Sequence, residues 1–363
     1  MTTRRNFLKG GTAAATGIVF CSCGLLESAH AQGNRTLPVA VNGKKVKTID
    51  VHAHCHFREA GALLGADAAA VQLPPVSGAA EAFIEIDKRL KAMDAQAVDM
   101  EVLSINPFWY GRDRELAGQI VKIQNEKLAE LCAAKPDRFA AFASLTLHAP
   151  DLAVQELETA VKKQGLKGAA IGGVVAGVEF SDARFNPVWA KAEELGVPLF
   201  IHPQGVPELS KRLSGNGWLG NTIGNPLETT IALSHLIFEG TLDRYPGLKV
   251  IAAHGGGFLP SYADRSDHAC LVGPAGCNAD IKLKKKPTDY LKQLYFDSLI
   301  FSPEALRHLA AQVGASQIVL GSDYPYPWEL HPVDHIFATS SLSDDEKMAI
   351  LGGTAAKLLN IAV

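Results

Sequence analysis

Histidine or aspartate closes four of the short apolar runs in this 363-residue chain. The runs end in His52-Ala53-His54, in Phe200-Ile201-His202, in Ala252-Ala253-His254 and in Gly321-Ser322-Asp323. On a strand, residues two apart point to the same side, so the imidazoles of His52 and His54 can face one ion. His202 adds a third nitrogen and Asp323 an oxygen. Three nitrogens and one carboxylate suit a borderline cation such as Zn²⁺, with Mn²⁺ or another divalent ion compatible, and leave a position for water. An ion held in this way lowers the pKa of its water toward ~7, which yields hydroxide near neutral pH. Asp323 and His254 are then the catalytic candidates, and His254, outside the ligand set, is free to move protons. Taken alone, a histidine at a strand end is usually a satisfied polar cap, and an aspartate after Gly-Ser often caps a helix. The specificity lies in the coincidence of all five at the ends of strand candidates.

The elements that must position these side chains follow from the apolar pattern. Eight short runs, at residues 46–51, 100–105, 139–145, 168–171, 198–201, 248–253, 294–297 and 318–321, barely alternate between apolar and polar. That is expected of parallel strands buried on both faces. Amphipathic segments separate them, including residues 82–93, 115–134 and 151–164. Ser302-Pro303-Glu304 opens a helix that Gly314 closes, and Ser343 with Glu346 forms a capping box at the start of the last helix. Residues 32–45 read as an extended lead-in, and residues 60–77 as an insertion after strand 1. The alternation predicts a (β/α)₈ TIM barrel over residues 46–363, whose C-terminal strand ends converge on one mouth. A doubly wound sheet would want Gly-x-Gly-x-x-Gly after the first strand, which is absent. Gly255-Gly256-Gly257 lacks the Lys-Ser/Thr of a phosphate loop.

From about Lys47 to Leu359 the chain resembles the amidohydrolase-related metal enzymes typified by aminocarboxymuconate semialdehyde decarboxylase. The resemblance is carried by Ile49-Asp50-Val51-His52-Ala53-His54, Met93-Asp94, Pro136-Asp137-Arg138-Phe139 and His202-Pro203. Further pieces are Asn225-Pro226-Leu227-Glu228-Thr229-Thr230, Tyr245-Pro246-Gly247-Leu248-Lys249-Val250, His254-Gly255-Gly256-Gly257 and Leu320-Gly321-Ser322-Asp323-Tyr324-Pro325. It implies the barrel of the amidohydrolase superfamily, zinc on His52, His54, His202 and Asp323, and His254 as acid/base. It also implies nonoxidative loss of CO₂ from a small unsaturated or aromatic carboxylate. Related aromatic-acid decarboxylases often carry Glu-x-His at the first ligand pair and use Mn²⁺; His52 stands there instead, which favours Zn²⁺. The family further implies a homodimer that lends an arginine across its interface, and Arg265 sits in the matching stretch. The insertion where the family keeps a carboxylate-binding arginine is shorter here, and Arg58 and Arg89 are the only arginines from the first motif to Met93. Arg58, Trp109 and Arg265 are the candidate substrate contacts. The same ligands also serve a metal-dependent hydrolase of a lactone, ester or amide. A non-catalytic periplasmic metal-binding protein is the remaining class.

Composition excludes other partners. A net charge of -3 leaves no basic excess to neutralise phosphates, so nucleic acid is not expected, nor is a polybasic membrane patch. Residues 1–31 read as a cleavable export signal: Arg4-Arg5 in a basic start, an Ala/Gly-rich run to Leu26, and Ala29-His30-Ala31 as cleavage site. The arginine pair points to the twin-arginine machinery and the periplasm, a route that carries folded proteins with cofactors already bound. Cys21 and Cys23 are imperfect lipidation candidates within the signal. Cys55, Cys132, Cys270 and Cys277 remain after it, with no Cys-x-x-Cys pair. Cys270 and Cys277 are either bonded or two free thiols. Replacing Arg4 and Arg5 by lysine should strand the precursor in the cytoplasm in a fractionation experiment; unchanged periplasmic delivery would point to the general secretory route.

Overall fold

The computed structural model describes residues 35–71 and 80–362, with the backbone alone for 69–71 and 80. The export signal at residues 1–31 and part of the insertion after strand 1 lie outside the described residues. The expected lead-in is described from residue 35 onward and is not simply extended there. Ala40–Val41 pairs antiparallel with Lys44–Lys45 across Asn42-Gly43. Both turn residues have positive φ, 48° and 76°. That is the Asn-Gly hairpin turn, in which Asn tolerates and Gly favours the left-handed region.

All eight expected strands are present: β1 (Ile49–His54), β2 (Met100–Ser104), β3 (Phe139–Ala141), β4 (Ala169–Ile171), β5 (Pro198–Ile201), β6 (Lys249–Ala252), β7 (Leu294–Asp297) and β8 (Ile318–Val319). Neighbours pair in parallel from β1 to β3 and from β4 to β8. Parallel bridges Ala143↔Ala169 and Asp50↔Leu320 join the two sheets at both edges, so the ring closes as a (β/α)₈ barrel. The outer helices include α1 (Ile86–Ala95), α2 (Arg114–Ala134), α3 (Pro150–Lys162), α4 (Asn186–Leu195), α5 (Gly224–Phe238), α6 (Ala263–Val272) and α7 (Pro303–Val313). Their ends obey the local chemistry. Asp113 accepts from the Leu116 amide and Ser302 from the Ala305 amide, while the Ser343–Glu346 capping box is formed in both directions. The first of these helices starts later than expected, because residues 80–83 form a separate 3₁₀ turn.

Inside the barrel, Ile49 and Val51 of β1, Met100 and Val102 of β2, and Phe200 and Ile251 make one buried cluster. The last helix, α8 (Thr354–Leu359), lays Ala355, Ala356, Leu358 and Leu359 on that cluster and closes the N-terminal end of the barrel. Its approach requires Gly352, where a Cβ would lie 1.9 Å from the Lys47 carbonyl oxygen at the foot of β1. Cys270 and Cys277 are disulfide-bonded, which decides between the two options the spacing allowed; Cys55 and Cys132 are free.

Overpacking at backbone contact cannot be relieved by a rotamer change. Gly352→Ala should therefore lower the unfolding free energy by at least about 2 kcal/mol, against about 1 kcal/mol for Ser343→Ala at the capping box. Urea midpoints of the two variants check this, and equal small shifts would show that the foot of the barrel can yield.

Candidate metal centre

The first two histidines owe their aim to an irregularity in β1. Its register against β2 shifts between Asp50 and Ala53. Val51 belongs to the barrel interior, yet the next residue, His52, also packs inward, with its ring 5.1 Å from Phe200. In a regular strand adjacent residues face opposite sides, so the shift re-aims the strand and turns His52 and His54 to the mouth together. Asp50 secures the shift. Its Oδ1 accepts from the amides of His52 (2.9 Å) and Ser322 (3.2 Å), and its Oδ2 from the Ser322 hydroxyl. Burial and the nearby Glu101 charge push the Asp50 carboxyl up to about 7.

Five side chains meet at the mouth. His52 Nε2 lies 3.2 Å from His54 Nε2 and 3.1 Å from Asp323 Oδ1; His54 Nε2 is 2.8 Å from that oxygen. His202 Nε2 stands 3.9 Å from Asp323 Oδ1, and His254 Nε2 3.8 Å from Oδ2. His52, His54, His202 and Asp323 are buried, and His254 is partly exposed. Donor atoms of His52, His202, His254 and Asp323 lie within 4.8 Å of one another, so His254 is near enough to count among possible ligands. His254 and Asp323 both adopt positive φ, 56° and 65°. Such backbone costs about 1–3 kcal/mol per residue and persists only where neighbours enforce it. Here the His254 amide donates to Asp297 (2.9 Å) and the Asp323 amide to the His52 carbonyl (2.8 Å).

These residues fit a divalent cation. Both ring nitrogens of His202, Nδ1 of His254 and Oδ1 of Asp323 are buried without a hydrogen-bond partner. Leaving such groups unpaired costs about 1–3 kcal/mol each, and a cation at the centre would partner Asp323 Oδ1 and one of the two His202 nitrogens. Their protonation also suits metal binding, which needs neutral imidazole and ionised carboxylate. Burial and the neighbouring histidines hold His202 well below its ordinary range, and burial lowers His54. Burial works against ionised Asp323, but His52, His254 and His54 outweigh it and hold the carboxyl well below its ordinary value. At His52 burial is likewise outweighed, by Asp323 and Asp297, and the imidazole is pushed up to about 10. Two carboxylates thus demand positive charge at this ring, from a proton or from a metal.

Asp297 was not among the sequence candidates, although it ends the seventh expected strand. Fully buried, its Oδ2 sits 2.6 Å from His52 Nδ1 and its Oδ1 accepts from the amides of Gly255 (2.8 Å) and Leu299 (3.1 Å). With the Nδ1 proton donated to Asp297, His52 presents Nε2 to the centre. Ser104, at the end of β2, lies 3.2 Å from His54 Nδ1 and does the same for that ring. Arg89, fully buried on α1, donates to Glu101 Oε2 (2.6 Å) and to the His54 carbonyl. The substrate candidates fare differently. Arg58 and Arg265 are exposed, on helix Arg58–Ala62 and on α6. Trp109 is corrected: it has no accessible surface, and its indole N–H donates to the Leu145 carbonyl (2.8 Å), so it is a core residue rather than part of the mouth.

Residues 49–361 match the family model described as amidohydrolase. The chain is 32% identical over 278 residues to 2-amino-3-carboxymuconate-6-semialdehyde decarboxylase of Dictyostelium discoideum, covering 76% of this chain and 76% of that one. It is 32% identical over 277 residues to gamma-resorcylate decarboxylase of Rhizobium radiobacter, covering 71% and 82%. Among solved structures it superimposes on a dihydroxybenzoic acid decarboxylase from a Polaromonas species, with bound manganese and the inhibitor 2-nitroresorcinol. That match has a TM-score of 0.73 and 27% identity, covering 87% of this chain and 97% of the other.

Because Asp297 orients His52, Asp297→Asn should weaken metal binding by about 10–100-fold while the protein stays folded. Competition with a chromogenic chelator measures this; parent-like affinity would remove Asp297 from the support of the centre.

Proposed function

The chain belongs to the amidohydrolase family, and on that premise we propose that it is a metal-dependent, nonoxidative decarboxylase of a small unsaturated or aromatic carboxylic acid. The observation that carries the reading is the buried, cation-deficient set of donors at the barrel mouth, in a chain whose relatives above all bear the names of decarboxylases. His52, His54, His202 and Asp323 would hold the ion. Zinc is our choice, since three imidazoles and one carboxylate suit it; the manganese of the Polaromonas structure keeps that ion as the alternative. When bound, the ion supplies Lewis acidity toward substrate oxygens and toward water.

The chain's own residues then orient the acid and manage one proton. Decarboxylation replaces a carboxylate by hydrogen, so a proton must reach the carbon that loses CO₂. We assign that transfer to His254, which is partly exposed and has its Nε2 3.8 Å from Asp323 Oδ2. We further propose that the mature protein acts in the periplasm, exported by the twin-arginine route with its metal loaded. A homodimer would let Arg265, exposed in one protomer, meet the substrate of its partner.

Purified protein should carry about one divalent ion per chain and release CO₂ from some member of a panel of aromatic and muconate-type acids. His202→Ala and His54→Ala should lose most of the metal. His254→Ala should keep it and lose about 10²–10⁴-fold in kcat, the usual contribution of a positioned acid/base. Metal loss in His254→Ala with retention in His54→Ala would exchange the two roles. Lactone or ester hydrolysis without CO₂ release from any acid would replace the decarboxylase reading.

A further inference from the structure

His202 is held differently from the other buried histidines. Asp297 orients His52 and Ser104 orients His54, but neither ring nitrogen of His202 has a protein partner. Its ring can be aimed only by its own backbone and packing. That backbone leads directly into a loop fastened to the start of α5. Glu228, 3% exposed, accepts amide hydrogens from Gln204 (2.7 Å) and Gly205, two and three residues beyond His202, through Oε2. Its Oε1 accepts from Gly173 (3.1 Å), in the loop after β4. The fit is tight, since a Cβ at Gly173 would lie 2.5 Å from Oε1. The same helix end braces the turn that follows His254. Thr230 Oγ1 donates to the Pro226 carbonyl (2.7 Å) and accepts from the Phe258 amide (2.8 Å). A Cβ at Gly257 would lie 2.1 Å from the Pro226 carbonyl oxygen, so helix and turn are in backbone contact.

We propose that Glu228 is a positioning residue for the metal centre: by clamping the loops after β4 and β5 to one carboxylate, it fixes the backbone from which His202 reaches the ion. The Asn225–Thr230 run, none of whose residues belongs to the candidate donor group, thereby acts as a bracket between the loops of β4, β5 and β6. The inference rests on His202 being a ligand, as proposed above. A carboxylate is needed because it presents acceptors on both oxygens. Glutamine keeps the shape but turns a donor toward one set of amide hydrogens.

The test compares full-length Glu228→Gln with a matched control, Glu156→Gln, by chelator competition for Zn²⁺ and Mn²⁺ and by urea unfolding of the metal-free proteins. Glu156 also anchors a loop, accepting from the Thr146 amide (2.6 Å) and hydroxyl (2.7 Å), but that loop follows β3, which supplies no donor. Glu228→Gln should weaken metal binding about tenfold or more, while Glu156→Gln loses stability and binds metal like the parent. Should Glu228→Gln fail to fold, Gly173→Ala displaces the same carboxylate without altering its charge and should give the same loss. Parent-like metal affinity in the folded variants, or an equal loss in the Glu156 control, would overturn the proposal. His202→Ala in the same titration separates the two ideas. If it binds like the parent, the ligand assignment fails; if it loses metal while Glu228→Gln does not, only the positioning role fails.

Discussion

Between Asp50 and Ala53 the first strand slips against its neighbour, and the buried Asp50 carboxylate holds the slip by gathering the His52 amide and the amide and hydroxyl of Ser322. Much else at the mouth depends on this. Without the slip, the parity that sends Val51 into the barrel would send His52 out toward the helices. With it, His52 and His54 face the axis, and the same hydrogen bonds tie β1 to the end of β8, where Asp323 follows. Closure of the ring and assembly of the centre are therefore one event: the Asp323 amide bonds to the carbonyl of His52 itself.

The electrostatics explain why so polar a cluster is tolerated in a buried place. Moving an ion out of water costs several kcal/mol unless it is paired and hydrogen-bonded. Asp297 and Asp323 address opposite nitrogens of the His52 ring, at 2.6 and 3.1 Å. Asp297 is further satisfied by three backbone amides, whereas Asp323 Oδ1 has no hydrogen bond. Polarity is thus complete behind His52 and incomplete in front of it. A divalent cation in front would balance the charge and partner Asp323 Oδ1 and one nitrogen of His202. This asymmetry separates a metal-binding mouth from an ordinary buried ion pair such as Arg89–Glu101, whose charges answer one another at 2.6 Å.

Strain is placed where the same contacts can bear it. Positive φ at His254 and Asp323 puts two side chains of the candidate site on turns that glycine would adopt more readily. Gly257 takes up the tight approach of α5 instead, while Asp297 and His52 pin the two strained amides. The rigid foot of the barrel, closed by α8 against Lys47, lets the loops at the other end be shaped by function.

Local physics made much of this legible in the amino-acid order alone. Eight apolar runs became eight strands because burial on both faces leaves an unbroken apolar signature, and the Ser302 and Ser343 caps formed because capping depends on residues within one turn. His52, His54, His202, His254 and Asp323 could be picked out because each lies at or just beyond the C-terminal end of a strand, and parallel strands in a barrel end at one place. The Asn42-Gly43 hairpin carried a local signal as well, one outweighed by reading the lead-in as merely extended. What only the tertiary structure decided involves partners far apart in the chain. Asp297 reaches His52 across 245 residues, and Ser104 reaches His54 across 50. Glu228 binds amides of two other loops, and the register shift in β1 exists only against β2. The disulfide needed the distance between Cys270 and Cys277, and Trp109 needed its neighbours to become core. A side chain's type is written in the sequence, but the atoms that meet it are chosen by closure of the ring.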